Sequence, residues 1–184
     1  MSATKNRDPH DFYPTPAETT RALLHWLNAQ QIGIDTALDP AAGEGALLRE
    51  LSCDRYAYEI REECRMALED ITVTTIICDA LVGTPSERAV DLVVCNPPYS
   101  LAREFVSTFR YVGRTSAFLL RLGFLASQKR APWWSENPPA HVLVLSSRPS
   151  FTGDGKTDNS DYCWAIWKGR TPKGYTRLDW LVAT

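Results

Sequence analysis

No apolar run in the 184-residue chain is long enough to cross a bilayer. The first residues, Met1 to Asp8, are polar and do not read as a secretory signal, and residues 1–10 are expected to form a loose arm. Cysteine is present but unclustered. Cys53, Cys64, Cys78, Cys95 and Cys163 contain no C-x-x-C pair, so a metal or dithiol pattern is missing, and scattered thiols fit a reducing, cytoplasmic setting. Three dispersed histidines give no metal-ligand spacing, and without a G-x-S-x-G elbow a serine hydrolase has no support. What remains is an ordinary globular composition, 44% hydrophobic and 23% charged, sized for a single domain over residues 1–184.

Charge is nearly balanced overall but not along the chain. Residues 1–96 carry 8 Lys and Arg against 16 Asp and Glu, whereas residues 97–184 carry 12 against 6. An acidic half suits a cationic small molecule, and a basic half suits phosphate. Surface solvation alone is the competing explanation.

Hydrophobic periodicity alternates between helix and strand. Thr19 to Gln30 has helical spacing; Thr36 to Leu38 reads as a strand, and Ala46 to Leu51 as the start of a helix. Strand-like stretches follow at Arg55 to Ile60, Ile71 to Cys78, Asp91 to Cys95, Ser116 to Leu122, His141 to Ser146 and Asp161 to Trp167, with helices over Glu62 to Asp70 and Leu101 to Tyr111. The alternation predicts an α/β protein with a mainly parallel sheet, and its last two strands an antiparallel hairpin.

Two segments carry chemistry. Leu38-Asp39-Pro40-Ala41-Ala42-Gly43-Glu44-Gly45 is an acidic, glycine-containing turn after the first strand. Gly43 and Gly45 would let backbone pass close to a ligand. The third glycine of a dinucleotide fingerprint is missing, and a leading carboxylate favours a cation such as S-adenosylmethionine over a pyrophosphate. Glu59 closes the second strand, where an acid accepting ribose hydroxyls is expected. Asn96-Pro97-Pro98-Tyr99 follows the strand Asp91 to Cys95. The Asn96 side-chain carbonyl and the Pro97 backbone carbonyl can accept from an amine, Pro98 stiffens the loop, and Tyr99 offers a face for stacking. A rigid surface turn is the alternative for such a tetrapeptide.

In this order the two segments resemble the S-adenosylmethionine-dependent DNA adenine-N6 methyltransferases, in the gamma-type motif order and a compact, phage-like form. The resemblance covers residues of about 11–167. It implies the class I methyltransferase fold, a Rossmann-like three-layer sandwich whose seven-stranded sheet ends in an antiparallel hairpin. It further implies a cofactor site formed by Phe12, Tyr13, Pro14, Thr15, Asp39, Pro40, Ala41, Gly43, Gly45, Glu59, Ile60, Asp79, Ala80 and Asn96. In that site Phe12 to Thr15 close over the methionine end, and Asp79 takes the adenine amino group. Asn96, Pro97, Pro98 and Tyr99 are the implied catalytic segment, acting on an adenine flipped out of double-stranded DNA.

Family members usually carry a separate target-recognition domain; after the last expected strand only Lys168 to Thr184 remain. Recognition is therefore expected from loops holding Lys129, Arg130, Trp133, Trp134, Arg148 and Lys156, with a short or relaxed target sequence. The Trp133-Trp134 pair either wedges into a base stack or packs on the sheet. An RNA base, a protein glutamine, or binding without catalysis are the other functions compatible with these motifs. A monomer or weak dimer without metal completes the expectation.

Overall fold

The computed structural model describes residues 13–83, 89–151, 157–169 and 175–182. The loose arm expected over residues 1–10, and the candidate residues Phe12 and Lys156, lie outside them. Eight strands form one sheet: β1 (Thr36–Asp39), β2 (Asp54–Glu59), β3 (Thr74–Ile77), β4 (Val90–Cys95), β5 (Gly113–Arg121), β6 (His141–Leu145), β7 (Tyr162–Lys168) and β8 (Arg177–Leu181). Their order is β3-β2-β1-β4-β5-β7-β6-β8. β1 to β5 run parallel; β7 lies antiparallel between β5 and β6, and β8 pairs parallel with β6 at the edge.

Strand periodicity divides the core in two. Ala37, Ala57, Leu92, Leu119, Leu143 and Trp164 point to one face, where α1 (Ala17–Ala29) and Leu68 of α2 (Arg65–Glu69) cover them. Leu38, Tyr58, Val93, Phe118, Val142 and Trp167 point to the other, against Phe105, Val106 and Phe109 of α3 (Ala102–Phe109). Two short helices, α4 (Leu122–Leu125) and α5 (Ala131–Glu136), follow β5.

The structure departs from the sequence reading at two places. The helix expected over Ala46 to Leu51 is a single 3-10 turn at Leu48–Glu50. Leu47, Leu48 and Leu51 are all buried, and the chain has only a few residues left before β2, so one tight turn satisfies them. The tail assigned no element supplies β8, which makes the sheet eight-stranded rather than seven-stranded. Among the described residues, no helix is long and apolar enough to cross a membrane.

Candidate functional site

The strand order reverses between β1 and β4, and in such sheets the crevice at the carboxyl ends beside that point is where ligands bind. Asp39 ends β1, Glu59 ends β2, Asp79 follows β3, and Asn96 follows β4. These four residues line one cleft of about 210 Å³, together with Tyr13, Pro14, Thr15, Pro40, Ala41, Gly43, Ile60, Ala80 and Pro98. Residues that the chain separates by more than eighty positions are thus gathered on one wall.

Gly45 is the exception. It does not line the cleft; its φ is +82°, and an added Cβ would run into Ile71 Cδ1 and lie 3.3 Å from Leu68 Cδ2. Its bareness serves packing beneath the turn rather than ligand approach. Gly43, with φ of +59°, does line the cleft, and its N–H donates to Glu59 Oε2 at 2.6 Å.

Asp39 is 1% exposed. Burial pushes its carboxyl up to about 8, the neighbouring Glu59 adds to that, and hydrogen bonds from the Ala41 N–H and the Cys95 thiol oppose it. Burial likewise pushes the Cys95 thiol well above its ordinary range. Glu59, also buried, accepts at Oε1 from the Arg61 backbone N–H (3.0 Å) and from Arg61 Nε (2.8 Å). Asp79 is exposed and accepts from the Leu81 N–H at 2.9 Å, an Asx turn that leaves its second oxygen toward the cleft mouth unused by that bond. Ile60 is 57% exposed, an apolar surface at the mouth of the same cleft.

Asn96 is held from the N-terminal segment. Its Nδ2 donates to the Tyr13 carbonyl and to Thr15 Oγ1, both at 3.0 Å. Because the Tyr13 carbonyl can only accept, the amide orientation is fixed and Oδ1 must face away. That oxygen is buried and has no partner among the described residues. Pro97 is buried and, unlike Asn96 and Pro98, does not line the cleft.

Tyr99 is not a bare platform. Its ring stacks on Tyr13 at 5.6 Å between centroids, and the Arg121 guanidinium lies 3.9 Å from its centre. The Tyr99 and Tyr162 hydroxyls are 2.8 Å apart, and burial with this contact raises the Tyr99 phenol far above its ordinary range. Arg121, Asp158 and Tyr162 are functional candidates that the sequence reading missed; no local motif marks them.

The expected recognition residues behave differently from one another. Trp134 stacks on Trp167 of β7 (6.2 Å, 14° between planes), and its Nε1 donates to the Phe124 carbonyl at 3.3 Å. Trp133 packs edge-on against it, so the pair is laid onto the sheet. Arg130 donates to the Phe124 and Gly123 carbonyls, Arg148 pairs with Asp161 at 2.7 Å on the surface, and Lys129 is exposed. Among the described residues no cluster of His, Cys, Asp or Glu is arranged to hold a metal.

Sheet order, strand directions and the crevice together define the Rossmann-like fold of class I methyltransferases. The sequence matches no protein-family model and no curated protein. Among solved structures, a candidate RNA methyltransferase from Pyrococcus horikoshii is similar with a TM-score of 0.68 at 15% identity, over 93% of each chain. The modification subunit of a candidate type I restriction enzyme from Vibrio vulnificus gives 0.57 at 15% identity, over 90% of this chain and 45% of that one. The 23S rRNA methyltransferase ErmE gives 0.60 at 17% identity, over 88% of this chain and 71% of that one.

Proposed function

We propose that this protein transfers a methyl group from S-adenosylmethionine to the N6 amino group of adenine in double-stranded DNA. The observation that carries the reading is Asn96 Oδ1, a buried acceptor with no partner, on a side chain whose other end is locked. Leaving such an oxygen unpaired costs about 1–3 kcal/mol, which is offset when an N–H donor arrives. The cleft residues fit the cofactor. Asp39 and Glu59 suit its cationic and hydroxyl groups, Asp79 suits an amino group, and Ile60 offers apolar surface for a ring.

When bound, S-adenosylmethionine supplies the methyl group, whose carbon bonds the acceptor nitrogen as its bond to sulfur breaks and the electron pair stays with sulfur. The chain's part is alignment. Asn96 Oδ1 and the Pro97 carbonyl accept the two N–H bonds of the amine, which draws its nitrogen from planar toward tetrahedral and aims the lone pair. Asn96 is neutral and no base, so the proton departs to water once the nitrogen carries the methyl group.

RNA is the second reading, supported by the RNA methyltransferases among structures of the same fold. Tritiated S-adenosylmethionine offered in parallel with unmethylated duplex DNA, RNA and a protein extract distinguishes the readings. Label is expected in DNA as N6-methyladenine, and is expected to vanish in Asn96→Ala. Label in RNA or protein would move the substrate, and undiminished label in Asn96→Ala would overturn the role of the acceptor.

A further inference from the structure

The Asn96 to Ala102 stretch borders two cavities. Asn96, Pro98 and Leu101 line the cleft described above, whereas Tyr99 and Ala102 line a second space of about 410 Å³. Leu120, Leu122 and Phe124 give this second space apolar lining, and Arg121, Arg130 and Asp161 are among its polar lining residues. A space of that size, with apolar surface beside a few polar groups, accommodates a flat heterocycle.

Arg121 ends β5 and is held at three points. Nε donates to the Tyr162 hydroxyl at 3.1 Å, Nη2 to Asp158 Oδ2 at 3.4 Å, and the guanidinium carbon lies 3.9 Å from the Tyr99 ring centre. Tyr162 donates its own proton to Asp158 Oδ2 at 2.6 Å, so the Tyr99 hydroxyl must be the donor in its 2.8 Å contact with Tyr162. The directions of the whole network are therefore fixed. Asp158 offsets the guanidinium charge. Nη1 takes no partner among the described residues. What Arg121 presents to the second cavity is a charge-compensated, planar N–H edge. Such an edge suits a ring nitrogen or carbonyl acceptor of a neutral base, while Asp158 weakens its pull on a phosphate.

We infer that Arg121 reads the methyl acceptor, its free N–H edge hydrogen-bonding a ring acceptor of an extrahelical base seated in the second cavity beside Tyr99. The inference rests on the methyl-transfer reading above. Tyr162 and Asp158 act through Arg121 and Tyr99 and are positioning residues.

The test compares wild type, Arg121→Ala, Arg121→Lys, Arg148→Ala and Asn96→Ala on sheared unmethylated duplex DNA. Arg121→Ala is expected to raise the DNA KM about tenfold, the loss of one charge-assisted contact, with the cofactor Kd unchanged. Lysine, a point donor without a planar edge, is expected not to restore KM. The slope of DNA affinity against salt is expected to stay at the wild-type value in Arg121→Ala, as for a base contact, and to become shallower for a phosphate contact. Arg148→Ala serves as the surface comparison.

An unchanged KM, a shallower salt slope in Arg121→Ala, or full rescue by lysine would each overturn the inference. If Asn96→Ala keeps wild-type transfer, the underlying reading fails instead. Should wild type transfer no methyl to DNA, binding of the same DNA with S-adenosylhomocysteine present decides the matter. Equal affinity of wild type and Arg121→Ala then refutes the role of Arg121.

Discussion

Replacing Asp39 with asparagine tests the electrostatics of the cleft directly. In the fold its carboxyl is pushed up to about 8 from an ordinary value of 3.8, chiefly by burial. At about 1.36 kcal/mol per pH unit, the separation corresponds to about 6 kcal/mol between the protonated and ionised forms. The sign follows from linkage. The folded value lies above the unfolded one, so the group's contribution to stability is fully present below about 4. It is lost as pH rises through about 8. Asparagine carries no proton to lose. Asp39→Asn should therefore match wild type near pH 4 and exceed it increasingly toward pH 8.

Urea denaturation followed by tryptophan fluorescence at pH 5, 6, 7 and 8 measures this difference, and the six tryptophans give ample signal. The stability gap should widen by up to about 1.4 kcal/mol per pH unit. A penalty of that size is large against a whole-domain stability of about 5–15 kcal/mol. A cationic ligand favours the carboxylate, so wild-type affinity for S-adenosylmethionine should rise from pH 6 to pH 8, and Asp39→Asn should lose that rise. A gap independent of pH, or one that narrows as pH rises, would refute the reasoning.

Gly45→Ala should lower stability by about 2–4 kcal/mol, from a left-handed φ combined with the collision with Ile71 and Leu68. Thermal unfolding reads that loss, while calorimetric titration should find the cofactor Kd unchanged, since Gly45 does not line the cleft. Trp134→Ala should cost about 2–3 kcal/mol of stability through its stacking on Trp167, with DNA affinity preserved. A selective loss of DNA affinity at wild-type stability would restore the wedge reading.

The strand-and-turn grammar of the first half was legible because each strand ends on a residue with its own chemical signature. Asp39, Glu59 and Asn96 sit where the alternation placed them, and their convergence follows from parallel strands sharing one carboxyl edge. The 3-10 turn at Leu48–Glu50 was not legible, because a helix and one tight turn bury the same three leucines. β8 was missed for a related reason: Leu178 and Trp180 are exposed, so the stretch lacks the buried alternation that marks a strand. Arg121, Tyr162 and Asp158 escaped notice because their meaning is relational. Only the antiparallel register that sets Arg121 opposite Tyr162 makes a network of them.

The distribution of strained electrostatics argues for where function resides. Asp39 is buried with a carboxyl held far from its ordinary value, and Asn96 Oδ1 is buried without a partner. Glu59 accepts from Arg61 twice and from the Gly43 N–H, so a ligand hydroxyl must share or displace one of those donors. Asp39, Glu59 and Asn96 all line the same cleft at the reversal of strand order. Among the described residues, buried polar atoms without a partner also occur at Thr20, Arg110, His141 and Trp167, away from the cleft, so what marks the cleft is the convergence of two buried carboxylates with the Asn96 acceptor at the reversal of strand order. In the proposed reading the cleft takes the cationic donor and the second cavity takes the acceptor base. The Asn96 to Tyr99 segment borders both spaces, through Asn96 and Pro98 on one side and Tyr99 on the other.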